Sequence, residues 1–376
     1  MQHTNPGRLE RWLGADKVAQ LSAAMCNPAA RWPGRPIAVA GVPGRVFVSG
    51  DGDFIGAIDA GYEMSALDRA DDIVKRAVRR ERARMSRVKR SQRGAIGSLD
   101  AALAAYFGGG NRTFNFNKAG TTGVVGSSNT LWYVGTAPAA GAAAAAAPGG
   151  TIPTDASTGS FIFDNPSGGA TQHFVFGSPF SSVAANTLLL YDRLFSVTKT
   201  MASTATEAVT GVPTRYQSTT PGDHNYSGNN FLMIECRTAL PATAHNWTTC
   251  TYTDQDGNTG ATLPSVTGNS SNIVNRLDQP AGTWFAPLAS GDTGIKNLTQ
   301  MQCSASVASG AIDFTIGHAI AFMPCGIANF CCEKDGLTTS FNLERIQDDA
   351  CLAFLEILKP ATTATTYNGQ FTTIRG

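Results

Sequence analysis

The spacing of hydrophobic positions changes rhythm along the chain, and each change predicts a different kind of element. In residues 1–33, Leu13, Val18 and Leu21 fall at loose helical spacing beside Arg11 and Lys17. Asn27-Pro28 and Trp32-Pro33-Gly34 then end this short helical arm. Residues 36–58 predict short strands, with PIAVA and RVFVS flanking Val42-Pro43-Gly44, a type II turn signal. From Met64 the period becomes helical: Leu67, Ala70, Val74 and Ala77 keep three-four spacing, and Met85 and Val88 continue the stripe. Ser65 suits the N-cap, and Asp68, Asp71 and Asp72 precede a run of arginines, the polarity that a helix dipole favours. Gly94 and Gly97 stop this helix, and Ser98 can cap a second, LDAALAAYF, closed by Gly108-Gly109-Gly110.

Beyond Gly110 the pattern shortens. TFNFN, LWYVG, FIFD and HFVF are strand-like runs between Gly, Ser and Asn clusters, and APAAGAAAAAAPGG (137–150) predicts a loop or ordered linker. TLLLYDRLFSVTKTM (187–201) places Leu188, Tyr191, Leu194, Phe195 and Thr198 on one helical face. NNFLMIECRT and WTTCTYT predict further strands. In AIDFTIGHAIAFM, Ile312, Phe314, Ile316, His318, Ile320 and Phe322 alternate with small or polar residues, a period of two. MQCSASV precedes it across Ala308-Ser309-Gly310 and predicts a three-residue-loop hairpin. The fold class that follows is α+β: an N-terminal helical and hairpin arm region over 1–110 with a basic helix at 65–93, then a β-rich body, sandwich or jelly-roll-like, over 111–376 with room for a split near 200–220.

Composition sharpens this picture. A chain of 376 residues suits two or three domains. Charged residues make up only 15%, against about 25% in typical globular chains. Together with 40 glycines, that fits strands joined by tight turns and a surface covered by neighbours rather than water. No apolar run reaches the length of about 18 residues that would predict a membrane span. MQHTNPGRLERWLG lacks the apolar core of a signal peptide, so synthesis in a reducing cytosol is expected. Cys26, Cys236, Cys250, Cys303, Cys325, Cys331, Cys332 and Cys351 are then expected as free, packed thiols, and the N-x-S/T sequons as background.

Charge is distributed very unevenly. KRAVRRERARMSRVKRSQR (75–93) holds ten Lys or Arg and one acid, Glu81; the other 357 residues hold 19 Lys or Arg against 27 acids. A net +9 segment thus stands against a net −8 remainder. Like charges at helical i,i+4 spacing repel mildly, so a partner is the better account than a solvated face. The residues expected to make that contact are Arg76, Arg79, Arg80, Arg82, Arg84, Arg87, Lys89, Arg90 and Arg93. Guanidinium groups pair with carboxylates of another subunit or with phosphates of packaged nucleic acid. No aromatics interleave, so base stacking is not expected.

The remaining constellations carry less. FVSGDGDFIG follows a strand and precedes helical spacing, but its G-x-G-x-x-x-G spacing departs from a dinucleotide fingerprint, and Asp51 and Asp53 would repel a pyrophosphate. A tight acidic turn is expected, with calcium at Asp51, Asp53 and Asp59 the rarer alternative. TDQDGNTG has Thr259 and Ser265 where a calcium loop needs Gly and Glu, so Asp256-Gly257 predicts a hairpin turn. Cys325, Cys331 and Cys332 lack zinc spacing. None of His3, His173, His224, His245 and His318 stands in a catalytic motif, and His318 is expected as a satisfied core histidine. No metal, cofactor or catalytic residue is expected.

The N-terminus without a leader, the charged arm helix, the low-charge Gly/Thr/Ser/Asn-rich body and LLLYDRLFSVTKTMASTATEAVTGVPTRYQ together resemble virion structural proteins of tailed bacteriophages. PIAVAGVPGRVFVSG followed by the 65–93 helix is similar to the hairpin arm and arm helix of capsid shell proteins; decoration proteins, β-rich bodies tied down by N-terminal arms, fit equally. The resemblance implies a non-enzymatic particle component that contacts copies of itself and other capsid proteins, is assembled in a host cytoplasm, and holds nucleic acid near 75–93 if that segment faces the genome. No spine helix of shell-protein length is predicted in 113–376. The alternatives are a receptor- or glycan-binding tail-associated β protein, favoured if Tyr226, Phe231 and Trp247 are exposed, and a carbohydrate hydrolase, for which Asp254, Asp256 and Asp278 are the candidate carboxylates.

Overall fold

The computed structural model describes residues 45–48 and 54–58 as backbone strands, and then residues 96, 98–166, 170–183, 185–336 and 343–376. The chain divides into two units, Met1–Met85 and Ser86–Gly376. In the first, β1 (Arg45–Val48) pairs antiparallel with β2 (Phe54–Ile58), Arg45 opposite Ile58. Residues 49–53 join these two strands, so the G-x-G stretch leads into a strand, and the turn expected at Val42-Pro43-Gly44 lies outside the described residues. The basic segment, with Arg76, Arg79, Arg80, Arg82, Arg84, Arg87, Lys89, Arg90 and Arg93, lies outside the described residues, as do residues 1–33, PIAVA, Asp51, Asp53 and Asp59.

The second unit begins with α1 (Leu99–Ala105), whose N-cap Ser98 accepts a hydrogen bond from the Ala101 amide at 3.1 Å. Gly109, at φ 87°, breaks the helical path before β3 (Asn111–Ala119). The strands that follow are β4 (Asn129–Thr130), β5 (Gln172–Ser181), β6 (Asn186–Lys199), β7 (Glu207–Ala208), β8 (Asn230–Thr238), β9 (Asn246–Trp247), β10 (Thr251–Asp254), β11 (Thr259–Thr262) and β12 (Val266–Thr267). The last six are β13 (Ile295–Met301), β14 (Ala311–Cys325), β15 (Lys334–Asp335), β16 (Arg345–Ile346), β17 (Leu352–Ile357) and β18 (Thr366–Arg375). The body is β-rich, as expected, and its sheets curl into half-barrels. Residues 137–150 form an irregular connection.

A central sheet runs β4-β17-β6-β14-β8; a second runs β15-β5-β18-β3 with β16 on β5; a third runs β11-β10-β13-β7. The helical face expected for 187–201 is overturned: Asn186–Lys199 is the middle strand of the central sheet. Both of its faces are buried, which removes the polar alternation that marks a half-exposed strand. Leu188 and Leu190 join Phe116, Phe174, Tyr367 and Phe371 of the second sheet, whereas Leu189 and Tyr191 meet Phe231, Met233 and Leu355 on the other side. Further along, Phe195, Val197, Phe314 and Ile316 pack on Tyr252, Leu298 and Met301 of the third sheet. The hairpin expected between MQCSASV and β14 is also absent, because β13 pairs with β10 and β7 while β14 pairs with β6 and β8.

Polar groups cross the middle of this apolar strand. The Arg193 guanidinium grips the Glu235 carboxylate at 2.6 and 2.9 Å and lies 4.8 Å over the Trp132 ring. Burial works against its charge, but Glu235 and the hydroxyls of Tyr133 and Tyr191 outweigh that and hold the guanidinium protonated. Arg215 grips Asp192 in the same two-pronged way, both contacts at 2.8 Å. Such pairs are costly to break, because the surviving partner is left charged in a dry interior. Arg193→Met should therefore lower stability by about 3–5 kcal/mol, and Arg193→Met with Glu235→Leu should recover most of that loss; urea unfolding midpoints of the single and double variants measure it.

Candidate functional site

One cleft of about 590 Å³ opens beside the edge of the central sheet. Its floor comes from the turn Ser227–Asn229 and the start of β8, one wall from residues 284–293, and the other from β14 between Ala319 and Phe322. Trp284 is the hub of an aromatic cluster: its ring meets Phe231 at 5.0 Å, Phe285 at 4.7 Å and Phe322 at 5.5 Å, all edge-on. Phe285 and Phe322 are 41% and 43% exposed, so the cluster continues to the surface. Asp292 and Glu344 stand among the lining residues; Asp292 accepts from the Tyr252 hydroxyl at 2.5 Å, and Glu344 lies 3.5 Å from His318 Nε2. An aromatic bed with acids beside it can cover an apolar side chain or the face of a sugar ring.

Phe322 reaches this cleft because the alternation of β14 breaks. Ala319 is opposite Tyr191 and Ala321 opposite Leu190, so Ile320 is an extra residue, and everything after it changes face. Strict period two would have buried Phe322. His318, before the bulge, is a core histidine, buried, stacked on Tyr216 at 3.6 Å and hydrogen-bonded to Asn230 through Nδ1 at 2.8 Å, but it is not the fully satisfied one expected, because its Nε2 has no hydrogen-bond partner. The exposure that would favour a tail-associated binder is not found at the named aromatics: Trp247 and Phe231 are buried and Tyr226 is half-buried, whereas Trp284 and Phe285 open on the cleft. The only trace of that pair in the sequence is its adjacency in a stretch without strand periodicity.

Of the candidate hydrolytic carboxylates, Asp254 and Asp278 are occupied with structural bonds, whereas Asp256 is exposed on the turn and accepts from Gln255 Nε2 at 2.9 Å. Asp254 accepts from the Asp256 and Asn258 amides, both at 2.9 Å, and from Asn258 Nδ2 at 2.8 Å, closing the β10–β11 hairpin turn. Burial raises its pKa, and these bonds more than reverse that, so the carboxyl sits below its usual range. Asp278 is fully buried and takes His245 Nε2, Trp247 Nε1, the Asn269 amide and Asn272 Nδ2, each at 2.8 Å. For His245, burial lowers the pKa, but the bonds to Asp278 and to the Thr243 carbonyl outweigh it and raise the value above 6.5. Its contribution to stability is thus complete below pH 6.5 and is lost as pH rises through the higher folded value. His245→Gln should remove that component, giving an unfolding midpoint that changes less between pH 6.5 and pH 8 than that of the parent protein.

The cysteines depart from the expectation of uniform packing. Cys236, Cys250, Cys303, Cys325 and Cys351 are buried free thiols, and burial pushes those of Cys236, Cys325 and Cys351 up to about 12. Cys331 is exposed, within hydrogen-bond distance of Ser178 Oγ at 2.6 Å, and Cys332 is half-buried, accepting from the Gly326 amide at 3.0 Å. Ile327 and Phe330 on the same loop are 63% and 61% exposed. Among the described cysteines, which exclude Cys26, maleimide should label Cys331 first under native conditions and the five buried thiols only after unfolding; peptide mapping reads this directly. Comparison with protein-family models, with curated proteins and with solved structures finds no match to this chain.

Proposed function

We propose that this chain is a structural subunit of a viral particle, of the tailed-phage shell or decoration kind, whose β body makes subunit contacts and whose 75–93 segment binds packaged nucleic acid. The observation that carries this is the distribution of charge. The segment holds ten cations against one acid. Within the β body, Asp192, Glu235, Asp278, Asp313 and Glu356 are fully buried and hydrogen-bonded to internal partners. Those five carboxylates cannot serve a second copy's basic segment, which leaves exposed acids such as Asp100, Asp164, Asp223, Asp256, Asp348 and Asp349 as its alternative to phosphate. Arginines without interleaved aromatics suit backbone neutralisation rather than base reading.

Two further features support a subunit role. The central and second sheets share a core, and the chain passes between them from β3 to β4, β5 to β6 and β17 to β18, which suits a sandwich of the jelly-roll kind. Phe107 and Ile162 are 81% and 78% exposed, and with Ile327 and Phe330 they present apolar groups that subunit contacts would cover. The cleft around Trp284 favours a second reading, a glycan- or receptor-binding β protein of the tail, in which Trp284→Ala would abolish binding to a glycan array and leave assembly intact.

Substituting Arg79, Arg80, Arg87 and Arg90 by Gln tests the main reading. Each arginine withdrawn from a phosphate should flatten the dependence of log affinity on log salt by about 0.7–0.9, so the four together should lower the slope by roughly 3 and empty purified particles of nucleic acid. Unchanged salt dependence and unchanged particle content would remove the role assigned to 75–93.

A further inference from the structure

A second buried cluster lies at the opposite edge of the central sheet from β8, where β4 pairs with β17. Asn129 stands directly opposite Glu356 across this pair. Its Nδ2 donates to Glu356 Oε2 at 2.7 Å, and Lys359 Nζ donates to Oε1 of the same carboxylate at 3.2 Å. Asn129, Glu356 and Lys359 are all at most 1% exposed. A primary amine and a carboxamide are thus held on the two oxygens of one carboxylate in a dry site.

The local backbone is arranged to bring them together. In a regular strand Lys359 would face away from Glu356, since side chains alternate. Leu358 adopts φ 48°, a left-handed conformation rare for a bulky residue, and it turns the chain so that Lys359 points back to the Glu356 side. The turn is held by the Lys359 amide on the Ser127 carbonyl and the Gly126 amide on the Lys359 carbonyl, both at 2.7 Å. Gly123 leaves room: a Cβ there would lie 2.6 Å from Lys359 Cδ and 3.3 Å from Asn129 Nδ2, so the lysine stem and the amide flank one small space. Asn129 Oδ1 is buried and has no hydrogen-bond partner. Carbonyls buried in that way are rare and call for an explanation.

We infer that Asn129 and Lys359 join in an intramolecular isopeptide bond, with Glu356 as the proton carrier. A proton passes from Lys359 Nζ to Glu356 along their existing hydrogen bond. The neutral amine attacks Asn129 Cγ and forms the Nζ–Cγ bond. Glu356 delivers its proton to Nδ2, takes the second one from Nζ, and the Cγ–Nδ2 bond breaks. Ammonia leaves with the remaining proton as ammonium, Glu356 ends as the carboxylate, and no oxidant or cofactor takes part. Tyr367 Oη and Asn186 Nδ2 donate to Glu356 Oε1 at 2.5 and 2.9 Å, which orients the carboxylate between the two reactants. The other buried lysines lack such an arrangement: Lys118 donates to the Val134 and Ala139 carbonyls, and Lys199 to Glu207 and two carbonyls, with no carboxamide on a shared acid. The bond would lock the short edge strand β4 to the end of β17.

Mass spectrometry of the full chain, reduced and unfolded, tests this. The expected mass is one ammonia below that of the sequence, and proteolysis should yield a branched peptide joining residues 129 and 359. Glu356→Gln should restore the full sequence mass. Asn129→Ala and Lys359→Arg should do the same, which covers the case in which Glu356→Gln does not fold. A parent protein at full mass with Asn129 and Lys359 in separate linear peptides overturns the inference, and so does an ammonia loss that maps to any other residue.

Discussion

The body is organised around a strand that has no exposed face. β6 has neighbours on both edges and apolar cores on both sides, so every polar group it carries must find its partner inside the protein. Asp192 and Arg193 sit side by side at its centre and point to opposite sides, one to Arg215 and the other to Glu235. The two pairs fix what surrounds them. Arg215 brings in the segment after β7 and also donates to the Pro153 carbonyl at 3.0 Å. Glu235 sets the register of β8, and Thr315 of β14 donates to the same carboxylate at 2.6 Å. Hydrophobic burial of this strand could be met in several registers, whereas two bidentate ion pairs are satisfied in one.

The same burial explains which parts were legible in the sequence. Segments with one wet side announced themselves: α1 showed its Ser98 cap and closing glycines, and β10–β11 its Asp-Gly turn. Double burial hid β6, because LLLYDRLF fits helix and strand templates equally when no polar face is required. β14 was recognisable as a strand, yet its pairing was not. Ile295–Met301 joins a different sheet, and MQCSASV beyond Met301 belongs to the irregular connection 302–310 rather than to a strand.

The aromatic cleft was illegible for a different reason. It depends on an extra residue at Ile320, which turns Phe322 outward, and on Trp284 and Phe285 from a distant, non-periodic loop. Neither signal is local. Tyr226, Phe231 and Trp247 look in sequence like better candidates for a surface than Phe322, and the fold buries or half-buries all three. The Asn129–Glu356–Lys359 cluster is equally non-local in its first member, but its other part leaves a short trace, a glutamate and a lysine three apart across the left-handed Leu358. Spacing alone reads there as the end of a strand.

Charge links the interior to the overall composition. A chain with only 15% charged residues has few for its surface, and Asp192, Arg193, Arg215, Glu235, Asp278, Asp313, Glu356 and Lys359 withdraw eight of them into its core. On the proposed reading a particle subunit needs few, because neighbours would cover much of its surface. Where a face carries few charges, exposed apolar groups such as Phe107 and Ile162 can be covered at little cost in stripping water from ions. The cost falls on recognition over distance, since a weakly charged body has little field with which to steer a partner. Ten cations concentrated in 75–93 would supply that field from one segment and leave short-range contacts to the body. On that reading, the uneven distribution of charge along the sequence divides labour between long-range capture by the segment and close packing by the sheets.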